Sequence, residues 1–174
     1  MGEGCGVEPH AHLVGAYSEI LIVGGHRFAV TRARERDVPA VVKLLADDVL
    51  GADRESSELG PYFKAFAEID ADPHHLLVIV RDDADTVVGT MQLPLVPGFS
   101  RAGAKRLQIE AVRLAHDARG SGLGTALFDW AHEYGRQHGA TIAQLTSDKS
   151  RTDAHRFYNK VGYAASHEGF KRAL

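Results

Sequence analysis

Three glycines at alternate positions, in Arg119-Gly-Ser-Gly-Leu-Gly124, directly precede an apolar series of Leu123, Ala126, Leu127, Trp130, Ala131 and Tyr134. The series has helical spacing, so the glycines fall where a helix begins and its first N–H groups lack intrahelical partners. Several amides around one point, backed by the positive end of the helix dipole, suit a phosphate or pyrophosphate. Glycine at 120, 122 and 124 omits the Cβ atoms that would hold such a guest away. Arg119 can add a charged contact to an outer phosphate. A glycine-rich helix start without a ligand is the structural alternative.

Common phosphate loops do not fit. No Lys-Ser or Lys-Thr follows the glycines, as a Walker A loop requires, and Thr125 stands where the dinucleotide fingerprint needs its last glycine. Metal chemistry is not expected: His74-His75 and His10-x-His12 lack companion ligands. Cys5 is the only cysteine, which excludes an intrachain disulfide and a cysteine-based zinc cluster.

Composition narrows the class further. The chain has 174 residues with Lys plus Arg 20, Asp plus Glu 23 and a formal net charge of −3. One soluble domain is expected, not a nucleic-acid binder that works by neutralising phosphates. No stretch approaches the roughly 18 apolar residues of a membrane span. The run Leu13 to Val23 is broken by Ser18 and Glu19, with no Lys or Arg before Arg27, and makes a poor signal peptide. A cytoplasmic location is the expectation.

Residues 1–27 read as an N-terminal arm and an extra strand, and 28–174 as a single domain. Two β-type runs flank Gly24-Gly25 and predict a hairpin. Helical spacing follows over Glu35 to Asp48 and, more weakly, over 58–70, with Gly51 to Ser57 as a loop between. Strands are predicted over His75 to Val80, Thr86 to Leu95 (ended by Pro94 and Pro97) and Lys105 to Leu114. The glycine turn and its helix come next, then a strand over Thr141 to Thr146, a helix over Thr152 to Val161, and terminal strands within Tyr163 to Leu174. The fold class expected is α/β (α+β): a mixed, mostly antiparallel central sheet of about seven strands with helices on both faces. Exposed terminal strands would allow a homodimer.

The strand over Lys105 to Leu114 is irregular. Leu107 and Ile109 are apolar at odd positions, Val112 and Leu114 at even ones. A regular strand cannot bury both sets on one face. Either an inserted residue near Glu110-Ala111 makes a β-bulge, or helices bury both faces.

Arg119-Gly-Ser-Gly-Leu-Gly124 resembles the R/Q-x-x-G-x-G/A signature of the GNAT superfamily of N-acetyltransferases, and the similarity runs from about Phe28 to Leu174. Asp153-Ala-His-Arg-Phe-Tyr158 with Gly162-Tyr163 is similar to the family segment in which a tyrosine faces the thioester sulfur. Ser166-His167 with Phe170 resembles aminoalkylphosphonate N-acetyltransferases, and the Ile109-Glu110 strand resembles glucosamine-phosphate N-acetyltransferases. The resemblance implies acetyl-CoA as cosubstrate, held in a gap where the fourth and fifth core strands splay, here Lys105–Leu114 and Thr141–Thr146. It implies that the backbone of Val112, Arg113 and Leu114 bonds the pantetheine arm. Arg119, Gly120, Ser121, Gly122, Leu123, Gly124 and Thr125 would hold the pyrophosphate.

Acetyl transfer to an amine sets two demands. An aliphatic amine with a pKa of about 10 is neutral in only about one molecule in a thousand at pH 7, so a base must take its proton. Glu110 is the candidate, beside the expected bulge; a solvated strand glutamate is the plain alternative. The departing thiolate needs a proton, and the phenol of Tyr158 suits that role; a core aromatic with a surface hydroxyl is the alternative. Gln92 and residues Glu55 to Glu58 are candidates to line the amine pocket. Arg151, Arg156 and Lys160 either contact nucleotide phosphates or form a solvated helix face, and His155 and His167 read as structural or rim residues. The expected partner is a small-molecule amine. A protein lysine or N-terminal acetyltransferase, and a non-catalytic acyl-CoA-binding module, are the competing readings.

Overall fold

The computed structural model describes residues 18–47 and 54–174. Expectations for residues 1–17, His10 and His12 among them, and for 48–53 lie outside the described residues. Six strands form one sheet in sequence order: β1 (Ser18–Val23), β2 (His26–Arg32), β3 (His75–Arg81), β4 (Val87–Pro97), β5 (Lys105–Leu114) and β6 (Ala140–Leu145). All neighbours are antiparallel except β5 and β6, which run parallel. The β1–β2 hairpin turns on Gly24 and Gly25, both at positive φ (59° and 86°), as a primed turn requires.

Helices α1 (Val38–Ala46) and α2 (Gly60–Ala71) cover one face; α3 (Leu123–Gln137) and α4 (Thr152–Lys160) cover the other. The period of two in β3 divides its apolar residues between them. Leu76, Val78 and Val80 join the core under α3, whereas Leu77 and Ile79 join Val38, Val41, Val42 and Phe66. A strand buried on both sides reads as a continuous apolar run, as His75 to Val80 does.

Two expectations are corrected. The sheet has six described strands, not about seven, because Tyr163 to Leu174 forms no strand. That segment carries Ser166-His-Glu-Gly169 and Lys171-Arg172 and offers no alternating apolar face to bury. Pro94 does not end β4, which continues to Pro97. Leu95 N–H donates to the His74 carbonyl at 2.7 Å, so strand alternation turns the Pro94 nitrogen toward β5, where the ladder pairs Gln92 with Glu110 and Leu95 with Leu107 but skips Pro94. Of the two termini proposed for strand-mediated association, only β1 supplies an edge strand, with Ile20 and Ile22 exposed. Among the described residues no helix is long and apolar enough to cross a membrane.

Candidate active site

The irregular strand is bulged. On β4, Thr90 faces Arg113 and Gln92 faces Glu110, so Met91 alone stands against both Ala111 and Val112. Ala111 has a φ of 49°, in the left-handed region. An alanine there costs about 1–2 kcal/mol, a strain that clusters at functional sites. The extra residue turns Leu107, Ile109, Val112 and Leu114 toward the same core, which resolves the mismatch between odd and even positions. Of the two explanations open in the sequence, the bulge is the one that forms.

The sheet opens at the same point. The β5–β6 ladder ends at Ile109 opposite Leu145, whereas β5 stays paired with β4 as far as Leu114. The splay therefore lies between the fourth and fifth core strands. Ala115 N–H donates to the Val88 carbonyl at 2.8 Å, so strand alternation turns the backbone groups of Val112 and Leu114 away from β4 and into the gap. Two arginines brace this edge. Arg113 Nη1 donates to the Val112 carbonyl at 2.7 Å and Arg119 Nε to the Leu114 carbonyl at 2.9 Å. The N–H groups of Val112 and Leu114 are left on the open edge with no strand opposite.

The glycine turn adjoins that edge. Gly120 and Gly122 have φ values of 73° and 95°, which glycine adopts at no steric cost. The Ser121 hydroxyl donates to the Ala118 carbonyl at 2.8 Å and accepts the Leu123 N–H at 3.2 Å. Leu123 is fully buried, so it anchors α3 and its amide is already engaged. The first helical bond is Ala126 N–H to the Gly122 carbonyl at 3.2 Å. Among the described residues, the amides of Gly120, Ser121, Gly122, Gly124 and Thr125 have no acceptor. Gly124 packs close to both neighbours: a Cβ there would make ordinary van der Waals contact, 3.4 Å from the Phe157 ring and 3.6 Å from Leu114 Cδ1. Arg119 also approaches the Asp47 carbonyl at 3.5 Å, so its guanidinium ties the turn to the end of α1.

Helix α4 brings Tyr158 to the same core. Its ring packs on Phe128, Phe157 and Tyr163 at 5.8, 5.7 and 6.2 Å between centroids. Burial raises its phenol pKa above the ordinary value, against the opposing pull of Arg151 and Arg113. Tyr163 N–H donates to the Tyr158 carbonyl at 2.9 Å and closes the end of α4. Burial pushes the Tyr163 phenol up and His132 down, and the Tyr163 hydroxyl lies 2.8 Å from His132 Nε2. Nothing in the sequence announces this pair, whose members are 31 residues apart.

The remaining candidates divide. Glu110 is exposed and directly opposite half-buried Gln92, so cross-strand register brings these two together. Arg156 is exposed and pairs with Asp153 on its own helix. His155 Nε2 lies 2.9 Å from the Asp148 carbonyl, and the Ser166 hydroxyl 2.8 Å from His167 Nδ1. Glu55 accepts the Tyr62 O–H at 2.6 Å, which braces the start of α2. Among the described residues no group of three or more His, Cys, Asp or Glu is placed to hold a metal ion.

Known proteins are similar to this chain in sequence and fold. A protein described as a transcriptional regulator of Bacillus halodurans C-125 is 39% identical, with a TM-score of 0.79 over 84% of this chain and 99% of that one. The glucosamine-6-phosphate N-acetyltransferase of Arabidopsis thaliana, 18% identical, shares the fold with a TM-score of 0.70 over 84% of this chain and 98% of its own. The aminoalkylphosphonate N-acetyltransferase of Salmonella typhimurium is 40% identical over 67 residues, 38% of this chain; the match spans 44% of that relative, less than half its length. Residues 39–163, from α1 through the bulge and the glycine turn to Tyr163, match the model of the Acetyltransferase (GNAT) family, and the chain belongs to that family.

Proposed function

We propose that this chain is an acetyl-CoA-dependent N-acetyltransferase that passes an acetyl group to a primary amine of a small molecule within a ternary complex. The observation that carries the reading is a juxtaposition around one core: the bulged open edge of β5, the free amides of Gly120, Ser121, Gly122, Gly124 and Thr125, and Tyr158 on α4. The residues present fit the donor. A pyrophosphate suits five amides at a helix start, and pantetheine amides suit the strand edge that β6 leaves uncovered. Acetyl-CoA supplies an activated acyl group whose departure leaves a thiolate.

The chain's own groups divide the work. The amides of Gly120, Ser121, Gly122, Gly124 and Thr125 receive the diphosphate, and the N–H groups of Val112 and Leu114 receive the pantetheine arm. Arg113 and Arg119 hold the carbonyls of that edge in place. Glu110, with Gln92 beside it, faces the incoming amine and takes its proton, directly or through water. The Tyr158 phenol protonates the departing sulfur.

Glu110→Gln is expected to slow turnover most at low pH, where neutral amine is scarcest. Its pH–rate profile should be steeper than that of the native protein; a superimposable profile would remove Glu110 from proton transfer. Gly122→Val is expected to abolish measurable CoA binding by calorimetry. A β-branched residue at a φ of 95° is strained by about 1–3 kcal/mol and also intrudes on the amide ring. Retained affinity in a folded variant would refute the phosphate assignment. The direct test of the whole reading is thiol release from acetyl-CoA against aminoalkylphosphonates, amino sugars, polyamines and peptides. The name of the Salmonella relative puts the first of these at the head of the panel. Release with none of them, alongside intact CoA binding, would favour a non-catalytic acyl-CoA-binding role.

A further inference from the structure

Helix α4 carries Tyr158 but has no fully buried residue, so packing alone gives it little hold on the core. Its last turn is closed by a Schellman motif around Gly162, which has a φ of 94°. The Gly162 N–H donates to the Asn159 carbonyl at 3.1 Å, and the Tyr163 N–H to the Tyr158 carbonyl at 2.9 Å. Such a motif folds the side chain after the glycine back onto the last full turn of its helix. Here that contact is Tyr163 on Tyr158, with ring centroids 6.2 Å apart.

Tyr163 is held at its other end too. Its hydroxyl lies 2.8 Å from Nε2 of His132, and its ring meets Phe128 edge to face at 6.0 Å. Both of these partners belong to α3. One residue therefore joins the Tyr158 carbonyl to the helix whose first turn presents the free amides. Neither His132 nor Tyr163 has a part in the steps assigned above. A donor held by its diphosphate on one helix and met at its sulfur by another reacts at a rate that depends on their spacing. Small misplacements of the acid then cost rate and not affinity.

We propose that His132 and Tyr163 are positioning residues, whose hydrogen bond fastens the end of α4 to α3 and so holds the Tyr158 hydroxyl where the sulfur departs. The assignment rests on the acid role proposed for Tyr158.

Three variants test it. Tyr163→Phe deletes the bond and keeps the ring, and His132→Leu deletes it from the other side. His132→Gln restores both a donor and an acceptor close to the position of Nε2. In the ligand-free protein, Tyr163→Phe is expected to speed hydrogen exchange about fivefold at the amides of positions 161, 162 and 163, the usual worth of one hydrogen bond. Amides of α3 should exchange as before. With acetyl-CoA and an accepted amine, kcat should fall about three- to tenfold in Tyr163→Phe and in His132→Leu. In His132→Gln it should return to within about twofold of native, and CoA affinity should stay within about twofold in all three. Added to Tyr158→Phe, the Tyr163→Phe change should cost less than about twofold, because a hydroxyl already absent cannot be misplaced. A bond that only stabilises the fold would act equally in both backgrounds. Unchanged exchange at the end of α4, undiminished kcat, equal losses in the two backgrounds, or no recovery in His132→Gln would each overturn the assignment. Native activity in Tyr158→Phe alone, or no turnover of any amine by the native protein, would overturn the functional reading beneath it, and the positioning role with it.

Discussion

Tyr158→Phe is expected to lower kcat about a hundredfold or more, the usual scale for loss of a general acid, while leaving CoA affinity within twofold. The substitution removes only the hydroxyl. The ring keeps its contacts with Phe128, Phe157 and Tyr163, so the fold and the nucleotide cradle stay intact. Burial raises the phenol above its ordinary value, which keeps the acid form present throughout the neutral range and places its alkaline limb above pH 10. A thiolate leaving into the same desolvated space is likewise made more basic, so the transfer is less uphill than solution values imply. The charges of Arg151 and Arg113 act on Tyr158 in the opposite sense and stabilise the phenolate as its proton departs. Single-turnover rates and calorimetry check this together. A kcat within threefold of native, or equal losses in rate and affinity, would remove Tyr158 from the acid role.

Asp37→Ala is expected to destabilise the protein by about 3 kcal/mol, the lower end for breaking a buried ion pair. Asp37 is 4% exposed, and its Oδ1 accepts from Arg81 Nη2 at 2.7 Å. Its Oδ2 accepts the Arg34 N–H at 2.9 Å, and Arg81 Nη1 donates to the Asp85 carbonyl at 2.8 Å. One carboxylate thus ties the turn before α1 to the end of β3 and to the β3–β4 turn. Removing it leaves Arg81, whose side chain is only 22% exposed, with the exposed Asp85 carboxylate at 3.7 Å as its remaining ion partner. For a domain of this size the loss corresponds to a melting temperature lower by about 6–12 °C. The double variant Asp37→Leu with Arg81→Met should lose less than Asp37→Ala alone, because no unpaired charge remains. A loss below about 1 kcal/mol for Asp37→Ala by denaturant titration would show that the pair contributes little here.

These two sites were unequally visible in the chain. Tyr158 lies in a continuous segment, Asp153 to Tyr163, whose resemblance to the family segment marks it beforehand. Asp37 and Arg81 are 44 residues apart and look like ordinary surface charges until β2 and β3 pair. The same contrast holds within the cleft. The glycine turn was legible because helix starts, positive φ and free amides are local properties. The pairing of Gln92 with Glu110, the two arginines on the β5 carbonyls and the His132–Tyr163 bond depend on register and packing between distant segments. Arg119 is the instructive case: its place in the motif suggested a phosphate contact, and only the folded chain shows that its guanidinium also reaches the Leu114 and Asp47 carbonyls. The terminal strand failed for the opposite reason. Its expectation came from the end of the fold pattern, and the residues present supply no apolar face to hold it in the sheet.

By itself the sequence determined where apolar periodicity changes, where a helix must start with bare amides, and that the strand over Lys105 to Leu114 could not be regular. Each follows from covalent geometry and side-chain period over a few neighbouring residues. Only the tertiary structure decided how the irregularity is relieved. Met91 across the ladder faces two residues instead of one, Ala111 takes a left-handed conformation, and β6 departs after Leu145. The choice belongs to the fold because a bulge is a relation between two strands: the energy that selects it comes from burying Leu107, Ile109, Val112 and Leu114 against one core.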